Sequence, residues 1–420
     1  MREALSVPPE SPTAGRLLSL DAFRGATVAA MILVNNPGDW SAVYGPLRHA
    51  AWHGWTFTDT VFPFFLWIVG LAIPLSVTRR LQRGQSRREL FLHALRRAVI
   101  LFGLGLLLAV FSECVDGSLF RKGLSGWLRD VLLNVRVPGV LQRIAVCYLA
   151  AFTLFLTMRV RGLAAWCGGL LLGYWALMAL VPFPVEVDGQ TRWVAGMYEK
   201  GANLAGYVDN LVFNGPVIGR HVWAAAGTWD PEGLLSTLPA VATCLLGTLA
   251  GLLMGSSRPA ADRTAWLMVG GVLLMGLGQV WSLVLPINKS LWTSSYAVFM
   301  AGLAAVCFGV CYWLVDVQGW RRWALPAAVY GRNAITMFVL AGLLGRLSLA
   351  VKIGPSGSAV SLKTWLYQRL CAPLGHPDAA PWLGSLARPE NASLLWALLY
   401  VGLLYLLAWG MHRKGWIVKI

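Results

Sequence analysis

The chain has 420 residues, of which 57% are hydrophobic and only 13% are charged. Charged residues are about half as frequent as in a typical soluble domain, which excludes a disordered chain, a collagen-like fibre and an ordinary soluble enzyme. The net charge of +16 could serve nucleic-acid binding, but the sequence has no basic soluble patch interleaved with aromatic residues. The composition therefore predicts an all-α polytopic membrane protein whose partner is the lipid bilayer and not nucleic acid.

Long apolar blocks separated by short polar segments predict the membrane spans. A hydrocarbon core of ~30 Å needs about 20 apolar residues per helix, and this length predicts about ten transmembrane helices. They run near residues 18–35, 57–78, 92–112, 138–157, 162–182, 233–254, 264–284, 294–315, 323–345 and 392–411. An even number of spans places both termini on the same side of the membrane.

Lys and Arg are concentrated in the short loops on the side of the termini, above all in the stretch RRLQRGQSRR. By the positive-inside rule, both termini are predicted to be cytoplasmic. The predicted organisation is a polar N-terminus (1–16), a transmembrane domain (17–412) and a cytoplasmic tail (413–420). Outer loops are expected near 36–56, 113–137, 183–232 and 346–391, and no cleavable signal peptide is predicted.

Polar residues inside the spans are the main functional signal, because such groups are costly in lipid. Asp21 and Arg24 lie three residues apart at the start of the first span and are expected to form a structural pair. The other polar positions are Asn35, Asp59, Gln142, Arg143, Arg332 and Asn333. We expect these side chains to face each other or an aqueous cavity.

His49 and His53 share the outer segment RHAAWHGWTFTD, and a spacing of four would stack them on one helix face. Such a pair can bind zinc, but neither an HExxH glutamate nor a third ligand is evident nearby, so no metal is expected. The alternative is that one histidine acts as a general base or nucleophile.

Two further expectations concern local structure. Pro63 is expected to kink or restart the second span. The seven cysteines form no CxxC motif, so a disulfide framework is not predicted. One disulfide, between Cys114 and Cys371 in the predicted outer loops, is left as an open alternative.

Several motifs in order suggest a family. They are SLDAFRG, RHAAWHGWTFTDTVFPFFLWIVG, VPGVLQR, TWDPEGLLSTLPA, LPINKSLWTSSY and YGRNAITMFV. From about Leu17 to Met411, the chain resembles the transmembrane acetyltransferases of the heparan-α-glucosaminide N-acetyltransferase family. The resemblance implies transfer of the acetyl group of cytosolic acetyl-CoA to the amine of a glucosamine-type sugar on the far side of the membrane, and it suggests a homodimer.

The resemblance also implies roles for particular residues. The essential histidine of the family matches His49, and the asparagine before it matches Asn35. His49 would be the base or a transient acetyl carrier, and Asp59 would be its partner or only a helix cap. Guanidinium groups suit CoA phosphates, so Arg143, Arg79 and Arg80 are the candidate phosphate ligands. Gln142 is a further candidate at the donor site, and Asn333 is a candidate contact of pantetheine. The candidate acceptor-site residues are Asn288, Ser290, Ser294 and Trp52.

The sequence departs from the lysosomal enzyme, which carries an extra luminal domain and an additional span before the first motif. A multi-pass protein of the bacterial inner membrane that acts on glucosamine or another amino sugar is therefore expected. Two rival hypotheses stay open. One is an amino-sugar transporter without group transfer, and the other is an O-acyltransferase.

Overall fold

The computed structural model describes residues 17–115, 118–215, 219–355 and 358–418. The predicted N-terminal segment 1–16 lies outside the described residues, as do the last two residues of the predicted tail. Within the described residues, nine helices are long and apolar enough to cross a membrane, and a bent helix pair makes a tenth crossing. The prediction of an all-α polytopic membrane protein with about ten spans is thus confirmed.

The spans follow the predicted blocks within a few residues. They are α1 (Leu18–Asn35), α2 (Phe57–Gln82), α3 (Arg87–Val115), α5 (Val140–Thr157), α6 (Val160–Leu180), α8 (Thr237–Met254), α9 (Ala260–Trp281), α10 (Ser294–Tyr312), the pair α11 (Leu325–Arg332) and α12 (Ala334–Ala350), and α14 (Pro389–Arg413). A π-helical turn, Trp313–Val317, extends α10.

The long loops contain structure of their own. Three helices lie in them, namely α4 (Ser118–Asn134), α7 (Leu204–Phe213) and α13 (Leu362–Leu370). Four antiparallel two-stranded ribbons pair β1 (Phe183–Val187) with β2 (Gln190–Val194), β3 (Tyr198–Glu199) with β4 (Ala202–Asn203), β5 (Asn214–Gly215) with β6 (Gly219–Arg220), and β7 (Lys352–Ile353) with β8 (Val360–Ser361). Helix α4 falls where the sequence predicted only an outer loop.

Alternation of the spans gives the molecule two faces. We call the face at the end of α1 and the start of α2 the loop face, because the long loops lie there. We call the opposite face, where α2 ends and α3 begins, the terminal face. The C-terminal residues Ile417 and Val418 lie at the terminal face beside Arg80.

Helix α2 continues through Pro63 and Pro74 rather than restarting. A proline has no N–H, so each leaves the carbonyl four residues earlier without its helical donor. Tyr296 of α10 donates its hydroxyl to the freed carbonyl of Asp59 at 2.6 Å, and Thr248 of α8 donates to the freed carbonyl of Gly70 at 3.3 Å. Because lipid supplies no donors, hydroxyls from neighbouring helices stabilise the continuous span.

Glycines let two spans approach at backbone distance. A Cβ added to Gly25 of α1 would overlap the carbonyl oxygen of Ala327, and one added to Gly331 of α11 would overlap that of Asp21. Such small-residue contacts are typical of membrane helix packing. The predicted pair of Asp21 and Arg24 forms in the same region, at 3.6 Å.

The ninth span is broken, which the sequence prediction of one helix over 323–345 missed. The chain bends by 69° between α11 and α12, and Asn333 at the break has non-helical dihedrals. The seven cysteines are all free, with Cys114 exposed and Cys371 buried, so the structure contains no bridge between those two residues.

Candidate functional site

A cavity of about 660 Å³ opens from the loop face. Asn35 at the end of α1 and Gln142 in the first turn of α5 both line it. Gly105 of α3 makes room for this amide, since a Cβ at that position would overlap Gln142 Oε1. The walls also carry the aromatic side chains Trp40, Trp223, Trp396 and Tyr400.

A second cavity, of about 410 Å³, opens from the terminal face. Its described lining contains no acidic residue but carries the basic side chains Arg24, Arg80, His93, Arg97 and Arg332. The Nε atoms of Arg97 and Arg332 are buried without a hydrogen-bond partner. Buried guanidinium groups with unused donors suit phosphate oxygens.

A narrow apolar constriction of about 10 Å³ separates the two cavities. It shares Met31, Val140, Leu141 and Phe338 with the loop-face cavity. It shares Phe65, Ile144 and Ile335 with the terminal-face cavity. A space of this size holds about one water molecule, so side-chain movement is needed before a larger group can pass.

His49 and Asp59 form the predicted pair at the loop face. His49 Nδ1 lies 2.6 Å from Asp59 Oδ1. Asp59 is only 1% exposed, whereas the imidazole is 48% exposed. The other carboxylate oxygen accepts from the backbone N–H groups of Ala50 and Thr56, both at 3.0 Å, and completes a capping box on α2. Asp59 is therefore both a helix cap and the residue that orients His49.

The structure does not stack the two histidines, because the segment that carries them is not helical. His53 instead lies 3.4 Å from the amide nitrogen of Asn288 and 3.9 Å from Glu199. His49 is also absent from the described lining of the loop-face cavity, on which Asn35 lies. His49 and Asn35 thus do not line the same cavity.

The long loop between α6 and α8 is held to the loop face by an ion-pair network whose two carboxylates are buried. Arg136 lines the loop-face cavity and donates to Asp230 at 2.6 and 2.8 Å and to Glu232. Although burial opposes it, the bond to Asp230 and the charge of Glu232 raise the pKa of Arg136. Burial also raises the pKa of the neighbouring Asp209 to about 6. Its carboxylate accepts from the backbone N–H groups of Asp230 and Leu234.

Comparison with known proteins identifies the family. The family model described as "Heparan-alpha-glucosaminide N-acetyltransferase, catalytic" matches residues 16–218. The heparan-alpha-glucosaminide N-acetyltransferase of Homo sapiens is 30% identical over 363 residues, which cover 77% of this chain and 52% of the human protein. The chain belongs to the heparan-α-glucosaminide N-acetyltransferase family.

A second curated member of the family, from Mus musculus, is 29% identical over 367 residues, covering 78% of this chain and 53% of its own length. The chain spans about half the length of the curated relatives it matches. The family model includes Asn35, His49, Asp59 and Gln142, whereas Arg332 lies beyond the region it matches.

Arg143 was expected at the CoA phosphates, but it does not line the Arg-rich cavity. It is only 2% exposed in the first turn of α5, where it donates to the carbonyl of Gly233 at 2.9 Å and to the hydroxyl of Ser236 at 2.5 Å. Its guanidinium lies over the ring of Trp292 at 5.2 Å. Arg143 therefore joins α5 to the start of α8. Of the other predicted arginines, Arg80 lines the cavity and Arg79 does not.

The four predicted acceptor residues do not line the loop-face cavity. Asn288 and Ser294 are fully buried and bond to backbone groups: Asn288 Oδ1 accepts from Leu291 N at 2.9 Å, and Ser294 donates to Leu171 O at 2.7 Å. Trp52 donates its indole N–H to the carbonyl of Tyr198 at 2.8 Å. Ser290 is half-buried in the same turn as Asn288. Asn288, Ser294 and Trp52 therefore bond to backbone groups and do not line the loop-face cavity.

Asn333, a predicted donor-site residue, lines the terminal-face cavity, and both ends of its amide bond to the C-terminal segment. Nδ2 donates to Trp416 O at 3.0 Å, and Oδ1 accepts from Val418 N at 2.9 Å. Sequence reasoning also missed His93 and Arg97 as cavity residues. Their spacing of four places them on one face of α3, a signal that was available in the sequence.

Proposed function

We propose that this protein is a membrane-embedded acetyltransferase that moves the acetyl group of acetyl-CoA from the terminal face to the amine of a glucosamine-type sugar at the loop face. One observation carries the proposal: two cavities enter from opposite faces and meet at an apolar constriction. A donor and an acceptor bound in the two cavities would meet within the membrane. The names of the family relatives support the reaction class.

The terminal-face cavity is the proposed donor site. Arg80, Arg97 and Arg332 would bind the CoA phosphates, and the unused Nε donors of Arg97 and Arg332 are suited to that task. Once its side chains have moved apart, the apolar constriction would hold the end of the pantetheine arm and exclude water from the thioester. By the positive-inside rule this face would be cytoplasmic, in the inner membrane of a bacterium.

The loop-face cavity is the proposed acceptor site, where the amine attacks the thioester carbonyl. A C–N bond forms, the C–S bond breaks, and CoA leaves as its thiol after taking up a proton. The amides of Asn35 and Gln142 line this cavity and would donate to the developing oxyanion. His49, oriented by Asp59, would accept the ammonium proton or carry the acetyl group transiently. Because His49 lies outside the cavity lining, this role requires the imidazole and the acceptor amine to come together from two separate positions.

The same pair of cavities would also suit an amino-sugar transporter, since transporters open alternately to the two faces. The basic lining of the terminal-face cavity argues for the transferase. An ammonium sugar would be repelled by it, whereas CoA phosphates would be attracted.

The test uses purified protein in proteoliposomes supplied with acetyl-labelled acetyl-CoA on one side and glucosamine on the other. We expect N-acetylglucosamine to accumulate on the glucosamine side, and Arg97→Gln to raise the KM for acetyl-CoA about 10-fold. Arg192→Gln, in the exposed ribbon β1–β2, is the matched control. Movement of unmodified glucosamine without acetyl transfer would overturn the proposal and support the transporter.

A further inference from the structure

A histidine near the end of α14 holds one of the arginines that line the terminal-face cavity. Arg332 donates from Nη1 to Nδ1 of His412 at 2.8 Å. Because a guanidinium group can only donate, Nδ1 accepts, and the imidazole is neutral with its proton on Nε2. Arg332 belongs to the described lining of the cavity and His412 does not. The imidazole therefore contacts the guanidinium group from outside the cavity.

This contact decides which donors of Arg332 are left for a ligand. Nε of Arg332 is buried without a hydrogen-bond partner, and among the described residues the contact with His412 is the only hydrogen bond of this guanidinium group. The edge formed by Nε and Nη2 is thus unused. Its two parallel N–H groups match two oxygens of a phosphate group.

The neutral imidazole orients Arg332 without cancelling its charge. Among the described residues, Arg332 has no ion-pair partner. Arg136 of the loop-face cavity, by contrast, is paired with Asp230 and Glu232. A carboxylate in place of His412 would compete with an anionic ligand for the same guanidinium group. The contact therefore suits an arginine whose charge is reserved for a ligand.

The packing of α11 on α14 fixes the distance between the two side chains. Tyr330, two residues before Arg332, donates its hydroxyl to the carbonyl of Val401 on α14 at 2.9 Å. Its ring also stacks on that of Tyr405, with 6.2 Å between the ring centroids. Arg332 and His412 are thus carried by two helices that are bonded to each other close to this contact.

The end of α14 fixes His412 as well. Gly415 has a φ of 69°, and its N–H donates to the carbonyl of His412 at 3.1 Å, while Trp416 N donates to Met411 O at 2.8 Å. These two bonds form a Schellman cap, which ends the helix and reverses the chain. The segment beyond the cap is bonded to Asn333 through Trp416 O. Two consecutive residues at the helix break, Arg332 and Asn333, therefore bond to the C-terminal part of the chain.

We propose that His412 is a positioning residue of the donor site, which orients Arg332 so that Nε and Nη2 bind two oxygens of a CoA phosphate group. The proposal rests on the donor role proposed above for the terminal-face cavity. His412 contacts neither the donor nor the reacting atoms and acts only through Arg332. It therefore determines the affinity for acetyl-CoA and not the rate of the chemical step.

Two substitutions of His412 separate its hydrogen bond from its volume. His412→Leu removes the acceptor, whereas His412→Asn keeps one, because Oδ1 of asparagine and Nδ1 of histidine are both bonded to Cγ. We expect His412→Leu to raise the KM for acetyl-CoA about 10-fold with kcat nearly unchanged, and His412→Asn to stay within about 3-fold of wild type. His376→Leu, which removes an exposed histidine from the loop before α14, is the matched control. An equal rise in KM for the Leu and Asn variants would overturn the proposal.

Donors with fewer phosphates distinguish this role from a general structural one. S-Acetylpantetheine has the thioester but no phosphate, so its kcat/KM should be the same in wild type and in His412→Leu. Acetyl-dephospho-CoA lacks only the 3′-phosphate. A defect of His412→Leu that disappears with this donor assigns the 3′-phosphate to Arg332, and a defect that persists assigns the pyrophosphate. Equal losses with all three donors would overturn the proposal.

A double-mutant cycle tests whether His412 acts through Arg332. Arg332→Gln should raise the KM for acetyl-CoA about 10-fold, and adding His412→Leu should raise it no further. Additive effects would contradict the proposal. An unchanged KM in Arg332→Gln, with a raised KM in Arg97→Gln, would also overturn it but would leave the donor cavity intact.

Binding of CoA separates the proposal from the transfer reaction. Affinity is measured by titration calorimetry on full-length protein in detergent, without an acceptor. Weaker binding of CoA by His412→Leu than by wild type and His412→Asn would support the role of His412 even if no acetyl transfer to glucosamine occurred. Equal affinities, together with normal transfer, would refute this role and leave the transferase intact. If the wild type does not bind CoA, both proposals are wrong.

Discussion

Asp59 orients His49 across ten residues of sequence, with 2.6 Å between Oδ1 of the carboxylate and Nδ1 of the imidazole. An ionised Asp59 accepts at this contact, so Nδ1 carries the proton and Nε2 of a neutral imidazole is left as the basic atom. This is the arrangement that a general base or an acetyl carrier requires. Since Asp59 is buried and tied to two backbone N–H groups, the imidazole is attached to a fixed point of α2.

Asp59→Asn should lower kcat for acetyl transfer by about 100-fold or more, because the amide no longer fixes the tautomer of His49. His49→Ala should lower it similarly, and His53→Ala should stay near wild type. Acetyl-CoA affinity, measured in parallel, should be unchanged in all three variants. Wild-type turnover by His49→Ala would remove this residue from the mechanism.

Tyr296→Phe should destabilise the protein by about 1–3 kcal/mol, because the carbonyl of Asp59 that Pro63 leaves free would lose its donor. Tyr312→Phe is the matched control, since its hydroxyl has no hydrogen bond to the described residues. Melting temperatures in detergent should fall for the first variant only. An equal effect of both substitutions would contradict the compensation of Pro63 by Tyr296.

Gly331→Ala should destabilise the protein by about 1–3 kcal/mol or more, because its Cβ would overlap the carbonyl oxygen of Asp21 and push α1 away from α11. Gly103→Ala on α3 is the control, since a Cβ there meets no atom within 4 Å. Thermal unfolding in detergent measures both. A drop in melting temperature for Gly103→Ala as large as that for Gly331→Ala would count against close packing as the cause.

Asn333→Ala should raise the KM for acetyl-CoA with little effect on that for the acceptor. The substitution removes both bonds to the C-terminal segment, whose residues Ile417 and Val418 form part of the wall of the terminal-face cavity. We expect the KM for acetyl-CoA to rise about 5-fold, because the two lost hydrogen bonds are ordinary ones that position the cavity wall. Steady-state kinetics with each substrate varied in turn provide the measurement, and an effect confined to the acceptor would contradict the assignment.

Asp209 should make stability depend on pH. Its pKa is raised from 3.8 to about 6, so the folded state binds a proton more tightly than the unfolded state and stability falls as pH rises from about 4 to above 6. The loss amounts to about 3 kcal/mol at most. Asp209→Asn removes the titrating carboxyl group but keeps Asp230 and Arg143, whose charges act on it. We expect this variant to lose the part of the pH dependence of stability that Asp209 causes. Parallel melting curves for both proteins across this range would contradict the prediction.

Apolar block length determined the fold class and nearly every span, because only a helix of about 20 residues satisfies its backbone in lipid. The pairing of Asp21 with Arg24 was also predictable, since it needs only the local geometry of one helix. From the sequence, Asp59 was expected to be either the partner of His49 or only a helix cap. The capping box at Thr56 explains why both apply, because a single buried carboxylate serves the helix start and the imidazole together.

The two cavities and their contents depended on tertiary structure. Arg80, Arg97 and Arg332 come from three different spans, and sequence alone does not fix how those spans rotate against one another. The contacts of Arg143 and Asn333 were decided in the same way, because backbone carbonyls far away in the chain accept from Arg143 Nη2 and from Asn333 Nδ2. A buried polar group takes whichever partner the packing brings within hydrogen-bond distance, and that choice is made only when the helices assemble.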